Sequence, residues 1–252
     1  MLMSVLQEKL VNGLRDYFKA GAKEQAVLGL SGGIDSAVVA ALLVKALGSE
    51  HVTALLLPSE HTAMRNVEDA RQWAEQLNIH YLVQPINPFT APFAKLPWKQ
   101  SKVASSNLGP RLRAVILYNY ANAHDALVIG TGNRTELRLG YFTKYGDGAV
   151  DLLPLGNLWK QQVRELAKEL GVPQRVIDKA PTAELWPGQT DEGELGLSYE
   201  EADAILTDLY DHGVLPDQLV AGGHDKASVE KILRRVSGNA HKLRSPPVLD
   251  VK

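Results

Sequence analysis

Ser31-Gly32-Gly33-Ile34-Asp35-Ser36 combines the residue types that handle phosphate. It lies between a short apolar run, Ala26–Leu30, and an Ala/Val/Leu-rich segment, Ala37–Leu47. That is the layout of a buried strand, a tight turn and a helix start. Gly32 and Gly33 can adopt φ > 0 and let a phosphate approach the backbone. The unpaired N–H groups of the helix's first turn then face the phosphate, and the macrodipole favours its negative charge. Ser31 and Ser36 add hydroxyl donors. Asp35 would repel phosphate unless a cation lies between them, and Mg²⁺ bridges carboxylates to phosphate oxygens. The loop has no lysine at the helix start, so it is not a Walker A motif, and it is not Gly-x-Gly-x-x-Gly either. The bland alternative is an ordinary strand-to-helix turn with Asp35 as its capping acid.

Thr131-Gly132-Asn133-Arg134-Thr135-Glu136 follows a second buried run, Ala126–Gly130. It brings another acid, Glu136, toward the same cleft. Two carboxylates and a triphosphate make a Mg²⁺ site. The stretch Gly140–Leu155 is too glycine-rich for a helix, and its Lys144, Asp147 and Asp151 set opposite charges across a turn. A solvated Lys/Asp loop is the plain alternative there.

Elements that could position these groups follow from periodicity. An amphipathic helix opens the chain over 4–19, with Val5, Leu6, Leu10, Leu14, Tyr17 and Phe18 at helical spacing. Strands are expected at 26–30, 52–57, 80–83 and 126–130. Helices are expected at 35–47, 66–77, 112–124, 160–170, 199–209, 216–221 and 227–236. Segment 85–106 reads as a loop with at most one turn, 185–196 as a Gly/Pro-rich loop suited to a lid, and 238–252 shows little periodicity. Strands alternating with helices imply an α/β fold: a doubly wound, mostly parallel, Rossmann-like sheet flanked by helices. Ligands then sit beyond the C-terminal strand ends, where both motifs lie.

The 252 residues, 45% of them apolar, suit one domain over 1–252. A net charge of −2 gives no hint of a nucleic-acid partner. No apolar run approaches the ~20 residues of a membrane span. The N-terminus has no signal-peptide core, so a cytoplasmic protein is expected. Cysteine is absent, which excludes disulfides, thiolate metal sites and cysteine nucleophiles.

The Ser-Gly-Gly-Ile-Asp-Ser loop resembles the pyrophosphate-binding loop of the ATP pyrophosphatases, which have an adenine nucleotide alpha hydrolase-like fold. Gly130-Thr131-Gly132-Asn133-x-x-Glu136 and the run from Gly140 through Lys144-Tyr145-Gly146-Asp147-Gly148 to Asp151-Leu152 narrow the resemblance. So do Pro181–Glu192 and the segment 107–122 with Arg111, Arg113 and Tyr118. Together these motifs are similar to ammonia-dependent NAD synthetases, over Leu14 to about Arg244.

That resemblance implies a two-step reaction. The nicotinate carboxylate of deamido-NAD⁺ attacks the α-phosphorus of ATP and releases pyrophosphate, and ammonia then displaces AMP. It implies an ATP cradle of Gly29, Leu30, Ser31, Gly32, Gly33, Ile34, Asp35 and Ser36, with Thr131, Lys160 and Thr182 as further ATP contacts. Asp35 and Glu136 would hold Mg²⁺. Arg111, Lys144, Asp151, His241 and Lys242 would contact deamido-NAD⁺. Asp35, Lys160 and Asp147 form the catalytic set, with Asp147 binding ammonium or taking its proton, since only neutral NH₃ is a nucleophile. The missing cysteine, and a length too short for a fused glutamine-hydrolysing domain, make free ammonia the expected donor. The family resemblance also implies a homodimer. Two alternatives remain open from the sequence: another ATP pyrophosphatase of this loop type, or a non-catalytic adenine-nucleotide-binding protein.

Overall fold

The structure, a computed structural model, describes residues 2–186 and 188–251. Its strands are β1 (Gln25–Gly29), β2 (Val52–Leu56), β3 (His80–Val83) and β4 (Ala126–Ile129). They pair in parallel in the order β3-β2-β1-β4. The helices are α1 (Leu2–Ala20), α2 (Ile34–Leu47), α3 (Met64–Gln76), α4 (Asn87–Thr90), α5 (Lys102–His124), α6 (Arg134–Leu139), α7 (Lys160–Glu169), α8 (Gln174–Ile177), α9 (Asp191–Leu195), α10 (Tyr199–Tyr210), α11 (Pro216–Ala221) and α12 (Lys226–Asn239).

Alternate strand residues feed two layers. Ala26, Leu28, Ala54, Leu56 and Ile129 pack with apolar residues of α1, α2, α3 and α7. Val27, Leu55 and Val128 face the other way, toward Ala121, Ile116 and Leu117 of α5. Helices on both faces explain why β1 and β2 read as near-continuous apolar runs. A separate core joins α6, α9, α10, α11 and α12 through Leu139, Leu195, Tyr199, Ile205, Leu219 and Ile232. Among the described residues, no helix is long and apolar enough to cross a membrane.

Strand order decides where chemistry can occur. The chain winds from β1 outward through β2 to β3, then returns to place β4 on the other side of β1. The C-terminal ends of β1 and β4 therefore flank the switch point, the crevice where such sheets bind ligands. Beyond β4, Ile129 bridges Leu152 in parallel, so residues near Asp151 extend the sheet edge.

Three sequence expectations need correction. Segment 85–106 is not simply a loop: it holds α4, a 3₁₀ turn at Ala91–Lys95 and the start of α5. Helix α5 begins ten residues before the expected Leu112, because Ser101 caps it by accepting from the Ala104 N–H at 3.1 Å. Gly109 and Pro110 look like breakers, yet both lie inside this helix. Segment 185–196 likewise contains α9, capped by the Thr190 hydroxyl and closed by Gly196 at φ 71°; Pro187 lies outside the described residues. Finally, α12 runs on to Asn239, and a 3₁₀ turn follows at Ala240–Leu243.

Candidate active site at the switch point

The loop after β1 has the features of an anion cradle. Helix α2 starts at Ile34 with no side-chain cap, so its first-turn N–H groups are open to a ligand. The Ser31 and Ser36 hydroxyls lie 3.1 Å apart, and the Ser36 hydroxyl donates to the Gly33 carbonyl at 3.0 Å. Gly32 sits at φ 79°, and a Cβ there would stand 2.2 Å from the Asn66 carbonyl oxygen. Only glycine meets both demands.

The underside of this loop is pinned by a residue that sequence reasoning missed. Lys179 Nζ donates to the Gly32 carbonyl at 2.9 Å, to Asn66 Oδ1 at 2.6 Å and to Asp69 Oδ2 at 2.7 Å. Burial opposes the Asp69 charge, but hydrogen bonds from Lys179 and Arg175 hold its carboxyl below the ordinary range. Nothing local in the sequence marks Lys179, because its partners lie 110 or more residues away.

Asp35 projects from the first turn of α2 toward the loop after β4. There Asn133 and Glu136 form a reciprocal capping box at the start of α6. The Asn133 side-chain amide also donates to Asp35 Oδ1 at 2.9 Å, so one residue positions both acids. Lys160, the first residue of α7, reaches between them. Its Nζ is 2.5 Å from Asp35 Oδ2 and 3.6 Å from Glu136 Oε1. The lysine is 1% exposed. Its backbone N–H donates to the Thr135 hydroxyl, which donates in turn to Asp203 Oδ1 at 2.5 Å. Asp203 Oδ2 accepts from the Gln161 N–H. This buried acid thereby clamps α6 to the start of α7.

Electrostatics in this centre are unbalanced. Burial pushes the Glu136 carboxyl up, the neighbouring Asp35 charge pushes it further, and Lys160 and the Asn133 N–H only partly compensate, leaving it at about 8. Burial by itself would lower the Lys160 pKa, but the charges of Asp35 and Glu136 outweigh it and hold the ammonium firmly protonated. Two acids against one ammonium leave room for a further cation. The donor set, two carboxylates at a phosphate loop, fits Mg²⁺ completed by phosphate oxygens and water. No group of three acidic, His or Cys side chains able to hold a metal occurs among the described residues.

A second constellation lies along residues 140–147. Lys144 Nζ donates to the His241 carbonyl at 2.8 Å, and Lys242 Nζ donates to the Gly140 and Phe142 carbonyls at 2.6 and 2.9 Å. The C-terminal turn is thus folded back onto this loop. Arg111 joins it weakly, with Nε 3.4 Å from the Lys144 carbonyl. Asp147 Oδ1 accepts from the Thr143 N–H at 2.9 Å. Asp147 itself is exposed. Desolvation raises its pKa against that hydrogen bond and the charges of Lys242 and Arg113.

The remaining expected site residues are placed differently. Thr131 lies two residues past β4 and is half-buried. The Thr182 hydroxyl is engaged within its own loop, donating to the Gln189 carbonyl at 2.7 Å. Both carboxylate oxygens of Asp151 already have partners, the Tyr118 hydroxyl at 3.0 Å and the Val128 N–H at 2.8 Å. A cavity of about 310 Å³ lined by Gln25, Thr53, Tyr120 and His124 lies at the opposite end of the strands and contains no acid.

This arrangement has known counterparts. Residues 6–246 match the family model described as NAD synthase. The NH(3)-dependent NAD(+) synthetase of Archaeoglobus fulgidus is 45% identical over 97% of this chain and 96% of its own length. Among solved structures, the NMN synthetase of Francisella tularensis superposes with a TM-score of 0.88 at 40% identity, covering 98% of both chains. The NH3-dependent NAD synthetase of Campylobacter jejuni gives 0.85 at 33% identity over 99% of this chain and 100% of that one. A phosphate loop and paired acids at the switch point, with a match over nearly the whole length, make this chain a member of the NAD synthase family.

Proposed function

We propose that this chain makes NAD⁺ from deamido-NAD⁺, ATP and ammonia. The observation that carries the reading is Lys160 held between Asp35 and Glu136, beside the uncapped start of α2. A carboxylate attacking a polyphosphate meets like charge, so a catalyst must neutralise it in advance. The cradle Gly29–Ser36 receives the ATP phosphates on backbone N–H and hydroxyl donors. Lys160 balances the charge that builds on them as pyrophosphate departs. Asp35 and Glu136 would hold Mg²⁺, which when bound neutralises phosphate charge. Thr131 contacts ATP, as does Thr182 if its loop bond to Gln189 is exchanged.

Arg111, Lys144, His241 and Lys242 supply positive charge and donors for the dinucleotide, with Asp151 shaping the floor beneath it. Asp147 attracts ammonium and accepts its proton, and the NH₃ so formed attacks the acyl carbon and displaces AMP. The site draws on both hydrophobic cores, which supports treating 1–252 as one functional unit.

Incubation of the purified chain with ATP, Mg²⁺, deamido-NAD⁺ and NH₄⁺ is expected to yield one pyrophosphate per NAD⁺. Replacing NH₄⁺ by glutamine should abolish the product. Efficient use of glutamine, or pyrophosphate release without the dinucleotide, would reject the reading. The name of the Francisella relative raises a mononucleotide acceptor as a second reading. The two lysines of these segments, Lys144 and Lys242, with Arg111 beside Lys144, favour the larger, doubly phosphorylated acceptor. A kcat/KM at least about tenfold higher for deamido-NAD⁺ than for nicotinate mononucleotide is expected; the reverse ratio would select the mononucleotide.

A homodimer is part of the same proposal. Helix α5 is 23 residues long and leaves Val103 69% and Val115 64% exposed, apolar area that a second copy would cover. Light scattering at micromolar concentration should give twice the 27.5 kDa chain mass, and a monomer would contradict it. The cytoplasmic location expected from the sequence stands with this proposal.

A further inference from the structure

Two arginines two residues apart lie on opposite sides of α5, and the fold treats them differently. Arg111 is exposed. Arg113 is partly buried and points toward the C-terminal end of the sheet, where its Nε donates to the Leu57 carbonyl at 2.9 Å. Leu57 directly follows β2, the neighbour of β1, so this guanidinium reaches the same sheet end as the phosphate loop. Its Nη1 and Nη2 make no hydrogen bond and no ion pair among the described residues. Nη1 passes over Gly109, where a Cβ would stand 3.5 Å away beside Ile86.

Asp147 and Glu184 are near enough to favour its charge but do not approach within ion-pair distance. Desolvation pulls its pKa below the ordinary arginine value, the signature of a charge withdrawn from water without a full partner. A partly buried charge with an incomplete set of partners is costly to maintain. A fold that keeps one at a ligand crevice gains if a ligand completes it. The free Nη pair of a guanidinium is a planar fork that matches two oxygens of a carboxylate or a phosphate.

The geometry points to Arg113 as an anion-binding residue of this site, its free Nη pair taking two oxygens of a substrate carboxylate or phosphate. This rests on the functional reading above. The Asp147 charge acts on this guanidinium, which puts the anion on the side of the site assigned to ammonia.

Calorimetric titration of the full chain and its Arg113→Gln and Arg113→Lys variants tests this with three probes: deamido-NAD⁺, NAD⁺ and a non-hydrolysable ATP analogue with Mg²⁺. Arg113→Gln is expected to weaken at least one probe by about 10–100-fold, the range for hydrogen bonds to a charged group. Arg113→Lys, which keeps the charge and loses the fork, should fall between. A loss confined to deamido-NAD⁺ identifies the nicotinate carboxylate, because NAD⁺ differs from it only in having the amide. Loss for both dinucleotides alone identifies their pyrophosphate, and loss for the ATP analogue alone identifies the triphosphate. Unchanged affinity for all three, or equal loss for all three with a lowered Tm, overturns the assignment. Wild-type turnover in the same preparation separates the two claims: turnover with no effect of Arg113→Gln overturns this inference and leaves the proposed function standing.

Discussion

Lys160→Met is expected to lower kcat/KM for ATP by about 10³-fold, within the range seen when one preorganised charge on a transferring phosphoryl group is removed. The reason is positional. Lys160 is the cation in contact with both Asp35 and Glu136, and its backbone is anchored through Thr135 and Asp203. Its loss leaves two partly buried acids without their buried counter-charge. Breaking a buried pair in this way costs about 3–5 kcal/mol. The variant should therefore unfold at a lower temperature than wild type at pH 9.5, where the wild-type Glu136 is ionised against Lys160. At pH 6 Glu136 is protonated with or without the lysine, so the penalty should shrink to the loss of the Asp35 contact. Pyrophosphate release and thermal unfolding at these two pH values check both halves. Near-wild-type turnover, or a stability loss equal at both pH values, would show that Lys160 is not the charge at the centre.

Glu136→Gln should separate stability from activity, with opposite signs. The Glu136 carboxyl is raised from 4.5 to about 8 in the folded chain. Between those values the native state binds a proton that the unfolded state lacks. Stability from this group is thus fully present below the ordinary value, and it is lost as pH rises through about 8. Glutamine cannot ionise, and its side-chain oxygen can still accept from the Asn133 N–H and keep the capping box. At pH 8–9 the ligand-free variant should gain about 1–2 kcal/mol, or about 2–8 °C in Tm. Near pH 5 it should match wild type. Turnover should fall by about 10²-fold or more, and the stabilisation of wild type by Mg²⁺ with ATP should largely disappear. No gain at pH 9 would mean that the acid pair is not strained. Retained activity would remove Glu136 from the proposed metal site.

Both predictions use a centre whose parts were separately legible in the sequence. Asp35 follows a glycine pair at a strand end, and Glu136 follows an Asn-capped turn at another. Each signal is local, because a buried strand, a permissive turn and a helix start announce themselves within about ten residues. Segment 85–106 shows where local reading fails. Gly109 and Pro110 lower helix propensity, but packing of α5 against β1 and β4 overrides them. Residues 191–195 form a helix for a related reason, since one capping threonine and one left-handed glycine suffice to close a single turn.

The sequence by itself determined the parallel α/β class, the two strand-end motifs and the absence of any thiol chemistry, because these depend on residue type and short-range periodicity. Only the tertiary structure decided how the pieces are used. Lys160 meets Asp35 across 125 residues and Lys179 meets Gly32 across 147, distances at which no pattern in the chain marks a partner. Two arginines two residues apart, Arg111 and Arg113, look equivalent in the sequence. The fold leaves one in solvent and draws the other, half-paired, to the crevice, because burial is a property of packing around a side chain and not of its type.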